Sequence, residues 1–78
     1  MARATRSTSA TRPVLTDREG DVLLLLADGR SQAEIALCLG ISVHTVRSHV
    51  KNCYRKLDAR NARHAVSRAV ELRLIPGP

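Results

Sequence analysis

The stretch GISVHTVRSHVKNCYRKL, positions 40 to 57, contains four cationic side chains and no acidic one. Arg47, Lys51, Arg55 and Lys56 carry the charge, and Ser42, Thr45 and Ser48 place hydroxyls among them. Those groups suit one chemistry. Ammonium and guanidinium groups neutralise phosphates, and a guanidinium fork can bond guanine O6 and N7 together. The same stretch carries Val46, Val50, Cys53 and Leu57 at spacings of four, three and four. A helix turns about 100° per residue, so these four apolar positions fall within an arc of roughly 60°. His44, Arg47, Ser48, Lys51 and Arg55 fall on the opposite side. The segment reads as a helix held to a core by one face, with a basic face turned to something anionic.

Composition narrows that partner. The 78 residues make one small domain with a modest core, and Tyr54 is the one aromatic residue, so the core is aliphatic. The net charge is +6, and five of the seven acids (Asp17, Glu19, Asp21, Asp28, Glu34) precede position 35. A clustered basic face is the electrostatic footprint of a nucleic-acid binder. A membrane-surface helix would need Trp or Phe on its apolar side, and the chain has neither. The longest apolar run, Val22 to Ala27, is too short to span a bilayer. Two cysteines and an N-terminus without an apolar leader point to a reducing cytoplasm. Cys38, His44, His49 and Cys53 lack the close cysteine pair of a zinc site, and His44 points away from the Cys53 side. No nucleophile elbow or glycine-rich phosphate loop occurs, so no enzyme, metal or cofactor is expected.

The elements that must hold this helix are marked by their caps. Residues 1–13, MARATRSTSATRP, are aperiodic and read as a disordered basic arm, and the domain proper occupies 14–75. Thr16 with Glu19 is a capping box that opens a first helix from about Asp17 to Ala27, stopped by Asp28-Gly29. Ser31 with Glu34 opens a second through Leu39, with Ile35, Ala36 and Leu39 turned inward. Gly40 ends it, Ile41 plugs the core, and Ser42 caps the third helix, which runs to Leu57. The connection Gly40-Ile41-Ser42 has the length of a helix-turn-helix turn. Asn61 caps a fourth helix to about Arg73, with a stripe of Ala62, Ala65, Val66, Ala69 and Val70, before Pro76-Gly77-Pro78. The predicted architecture is all-α with four helices.

These residues, in this order, resemble the LuxR-type (FixJ/NarL-type) helix-turn-helix DNA-binding domain. The resemblance covers Leu15 to about Val66. It rests on Leu15-Thr16, Arg18-Glu19, Val22-Leu23, Gly29, Glu34-Ile35-Ala36, Ile41-Ser42, Thr45-Val46-Arg47, His49-Val50, Asn52, Lys56-Leu57 and Asn61. It implies a transcriptional regulator whose third helix enters the major groove, with Arg47, Ser48 and Lys51 at base-contacting positions and the fourth helix as a dimer surface. Several positions depart from the family pattern. Gln32 replaces a usual Asn, Cys53 a usual Ile, Asp58-Ala59 a usual Gly-Val, and Ala62 a common Arg. Leu24 occupies a position that is usually polar. The family usually carries this domain behind a receiver or ligand-binding domain, which leaves a stand-alone regulator and a piece of a longer one both open.

The expected function is sequence-specific binding of double-stranded DNA by a transcription regulator. The third helix reads the site, and a dimer through the fourth helix forms, off DNA or only on it. Base contacts are assigned to Arg47, Ser48 and Lys51. Backbone contacts are assigned to Ser31, Gln32, Ser42, His44, Thr45, Arg55 and Lys56, with Lys56 also facing the first helix, where an acid can pair with it. His49 lies near the core edge and is read as structural. The dimer surface is the fourth-helix stripe, and Leu24 is a candidate contact for RNA polymerase or a partner regulator. The setting is cytoplasmic, on the nucleoid, with no membrane partner. Two alternatives stay open: a promoter-recognition module like the DNA-binding end of a sigma factor, and an interaction module that heterodimerises with larger regulators.

Overall fold

A computed structural model describes residues 13–77. The expected basic arm therefore lies outside the described residues except for Pro13, and so does Pro78. Among the described residues the chain forms α1 (Asp17–Ala27), α2 (Gln32–Leu39), α3 (Val43–Leu57) and α4 (Ala62–Glu71), with no strand.

Each helix begins where its cap predicts. Thr16 Oγ1 accepts from the Glu19 N–H at 3.1 Å while the Glu19 carboxylate accepts from the Thr16 N–H at 2.9 Å. Ser31 and Glu34 repeat this box at 3.1 and 2.8 Å. Ser42 Oγ accepts from the Thr45 N–H, and Asn61 Oδ1 from the His64 N–H. These side chains satisfy amide groups that have no partner inside the helix.

The ends share one device. An N–H bonds the carbonyl five residues back: Arg30 to Leu25, Ile41 to Ala36, Ala59 to Tyr54, and Leu74 to Ala69, at 3.1, 3.1, 2.8 and 2.8 Å. Such a closure needs a left-handed residue just before the donor. Gly29 and Gly40 fill it in α1 and α2, but Asp58 (φ 54°) and Arg73 (φ 60°) fill it in α3 and α4. Arg73 corrects the sequence reading. The fourth helix stops at Glu71 because the chain turns left-handed at Arg73, ahead of the prolines that were expected to stop it.

Helix α3 contacts α1, α2 and α4, whereas α2 and α4 share no contact among the described residues. Its seam accordingly divides between two clusters. Val46 and Val50 pack with Val22, Ile35 and Ala36. Cys53 and Leu57 pack with Leu23, Ala65, Ala69 and Ile75. The aliphatic core expected from composition is what forms, with each fully buried Val, Leu or Ile side chain contributing about 1.5–3 kcal/mol. Leu39 and Ile41 are half-buried against the first cluster.

A left-handed L-residue costs about 1–2 kcal/mol, and glycine avoids that cost. Arg73→Gly is therefore expected to stabilise the domain by about 1 kcal/mol. Thermal unfolding followed by circular dichroism should show a raised midpoint for this variant. An unchanged or lowered midpoint would mean that the Arg73 side chain contributes as much as its backbone costs.

Candidate nucleic-acid interface

Burial of the α3 seam fixes what the helix presents outward. Val46, Val50, Cys53 and Leu57 are all buried, so His44, Arg47, Ser48, Lys51 and Arg55 are all exposed. Among the described residues, the side chains of Arg47 and Lys51 have no hydrogen-bond or ion-pair partner within the protein. Arg55 donates to Asn52 Oδ1 at 2.8 Å and so remains on the same surface. The other cations near acids are tied up: Arg18 with Asp21, Arg30 with Asp28, and Arg68 with Glu71. At the start of α3, Ser42 and Thr45 share a hydroxyl hydrogen bond of 2.9 Å beside free helix N–H groups, an arrangement suited to a phosphate oxygen. Ser31 caps α2 through its box with the Glu34 carboxylate, and Gln32 follows it half-buried.

Lys56 departs from its assignment as a backbone contact. Its ammonium donates to Glu19 Oε1 at 2.7 Å and to the Val14 carbonyl at 3.0 Å. Glu19 is only 3% exposed. Burial opposes its ionisation, but the Lys56 ammonium and the Thr16 groups outweigh that and hold the carboxyl below its usual range. Lys56 thus fastens the last turn of α3 to α1 and to the incoming chain. The acid pairing that the sequence allowed for this side chain is the contact that forms.

Two members of the expected dimer stripe are also misplaced. Ala65 and Ala69 are fully buried in their own core and cannot face a second copy. Ala62, Val66 and Val70 stay partly exposed, and Ala62 and Val66 line a shallow groove with Leu26, Ala27, Arg63 and Ser67. The stripe covers more of α4 than one contact surface. Only packing against α1 and α3 decides which part is internal.

Cys53 fills the core position assigned to it. Its thiol donates to the Glu19 carbonyl at 3.7 Å, and burial pushes it up to about 11, so it stays protonated at neutral pH. His49 is half-buried at the core edge, as expected. The sequence reading passed over four exposed side chains. Arg60 and Arg63 add unpaired cations in the α3–α4 connection and α4, and Leu37 and Val43 add apolar surface beside the turn. Charge alone marks the arginines. Leu37 was concealed in the nearly continuous apolar run IALCL, although its phase, two residues beyond Ile35, points outward.

A tight turn that sets α3 against α2, with α3 buried by one face and cationic on the other, defines a helix-turn-helix domain. The chain belongs to the luxR family of bacterial regulatory proteins, whose family model matches residues 13–69. It is 46% identical over 65 residues to the transcriptional activator protein CarR of Pectobacterium carotovorum subsp. carotovorum, covering 83% of this chain and 27% of that protein. The transcriptional activator protein EsaR of Pantoea stewartii subsp. stewartii is 46% identical over 67 residues, 86% of this chain and 27% of its own. The response regulator protein VraR of Staphylococcus aureus is 42% identical over 62 residues, 80% of this chain and 30% of its own. The chain thus spans between a quarter and a third of the length of these relatives.

The Glu19–Lys56 pair gives a pH test. The unfolded chain protonates this carboxyl near pH 4.5, and the folded chain only at lower pH. Stability from the pair is therefore complete above that range and is lost as pH falls through it. Glu19→Gln should lower stability at neutral pH by about 1–3 kcal/mol and flatten the acid limb. Urea unfolding across a pH series measures both, and an equally steep limb in the variant would assign the acid sensitivity to other carboxylates.

Proposed function

We propose that this domain binds double-stranded DNA sequence-specifically as part of a transcription regulator, with α3 in the major groove. One observation carries the reading: Arg47 and Lys51 stand exposed and unpaired on a helix whose opposite face is wholly buried. Membership of a regulatory family, with transcriptional activators among the relatives, supports it. Arg47 is suited to bond guanine, Ser48 and Lys51 to meet neighbouring bases, and Arg55 to meet phosphate. Ser42, Thr45 and His44 at the head of α3, with Ser31 and Gln32 at the head of α2, supply the remaining backbone contacts.

One recognition helix reads few base pairs, too few to select a site within a genome. Pairing of two copies on a palindromic site answers that need, and the exposed part of α4, Ala62 and Val66 with Val70 beyond them, is the surface proposed for it. That surface is small, so pairing is expected on DNA and not in free solution. An activator also touches RNA polymerase, and exposed Leu24, grouped with Val14 and Leu74, is one apolar surface available for that contact. Such work belongs in the cytoplasm on the nucleoid. No helix among the described residues is long and apolar enough to cross a membrane.

Arg47→Ala should lose about 1–3 kcal/mol on a selected site and relax preference at one base pair. Arg55→Ala should weaken all sequences alike and reduce the salt slope by about one unit. Titrations of selected and random duplexes at several salt concentrations separate the two. Equal losses for Arg47→Ala on both duplexes would remove it from base reading.

Val66→Glu should keep the fold and abolish cooperative filling of two half-sites, because Val66 is partly exposed. Ala69→Glu should instead unfold the domain, since a carboxylate would be forced into the core. Circular dichroism and a comparison of one-half-site with two-half-site probes check both. Retained cooperativity in Val66→Glu would move the pairing surface off α4.

A further inference from the structure

Val43, Arg47, Lys51 and Arg55 recur every four residues, so they form one ridge along α3. Three members are exposed cations. The leading member is a valine, 39% exposed, at the first position of the helix. The apolar surface continues past it. A hollow lined by Ala33, Leu37, Gly40, Ile41 and Val43 runs onto α2, where Leu37 is 84% exposed. In helix-turn-helix docking the N-terminal residues of the recognition helix meet the base edges. Among those edges, an apolar side chain finds one apolar complement in the major groove, the C5 methyl group of thymine.

We propose that Val43 is a specificity-determining residue that packs on a thymine methyl, with DNA as the occupant of the surface between Val43 and Leu37. The inference rests on the reading of α3 as the major-groove helix and deepens it. Continuity with the cationic ridge selects DNA over a protein partner for this patch. The ridge also sets the register. Four residues rise about 6 Å along the helix, and base pairs lie about 3.4 Å apart. The thymine therefore falls about two base pairs from the one met by Arg47.

The test uses the full chain and a duplex that it selects from a random library. Each thymine is replaced in turn by deoxyuridine, which removes the methyl and leaves the pairing edge intact. The parent protein should lose affinity about fourfold at one thymine, about two base pairs from the position whose preference Arg47→Ala relaxes. Val43→Ser, with its helical content confirmed by circular dichroism, should bind the thymine and uracil probes equally at that position. A uracil penalty that is the same in Val43→Ser as in the parent, or no penalty there in the parent, overturns the assignment. The underlying reading is judged separately by Arg47→Ala. A failed Val43 coupling beside an intact Arg47 base preference refutes only the methyl contact, whereas loss of both refutes groove reading by α3.

Discussion

Helix α3 is buried along a single line, and that line has to serve two separate clusters. Its first half closes a cluster with α1 and α2, and its second half closes another with α1 and α4, while α2 and α4 share no contact among the described residues. The rotation of α3 is therefore fixed at both ends. A change in phase of one residue, about 100°, would carry Arg47 toward the place of Val46 and bury a guanidinium without a partner, at a cost of several kcal/mol. The direction of the basic face is thus a consequence of core packing. No residue on that face has to hold itself in position.

The charge distribution follows from where the acids are used. Glu19 and Glu34 are engaged in capping boxes, and Glu19 also holds Lys56. Asp21, Asp28 and Glu71 sit beside Arg18, Arg30 and Arg68. These exposed pairs contribute little to stability, since solvent screens them. None of the ion pairs among the described residues involves Arg47 or Lys51. The buried Glu19 differs in kind. It joins the first helix, the incoming chain at Val14 and the end of α3 through one ammonium group, so the segment that leads into the domain is mechanically attached to the recognition helix.

Economy at the helix ends has a similar logic. Glycine supplies the left-handed turn after α1 and after α2, so the two glycines flank α2 and the second lies in the turn that sets α3 against α2. After α3 and α4 the same turn is made by Asp58 and Arg73. Aspartate tolerates that conformation better than most residues, and arginine does not. The hydrogen bonds of Ala59 and Leu74 that close these turns over-determine both positions.

The sequence by itself determined the four helix starts, the ends of the first three helices and the two faces of α3. All depend on partners within about five residues: a capping hydroxyl, a glycine, a repeat of three and four. Tertiary structure alone decided three matters. Lys56 and Arg55 are adjacent cations in sequence, yet Lys56 turns to Glu19, 37 residues away, while Arg55 stays on the outer face. In the α4 stripe every member is small and apolar, so local pattern could not say that Ala65 and Ala69 are fully internal and Ala62 and Val66 only partly so. The end of α4 turned on an arginine in a conformation it rarely adopts. In each case local rules allowed more than one outcome, and contacts between distant segments, whose free energy exceeds those local preferences, selected one.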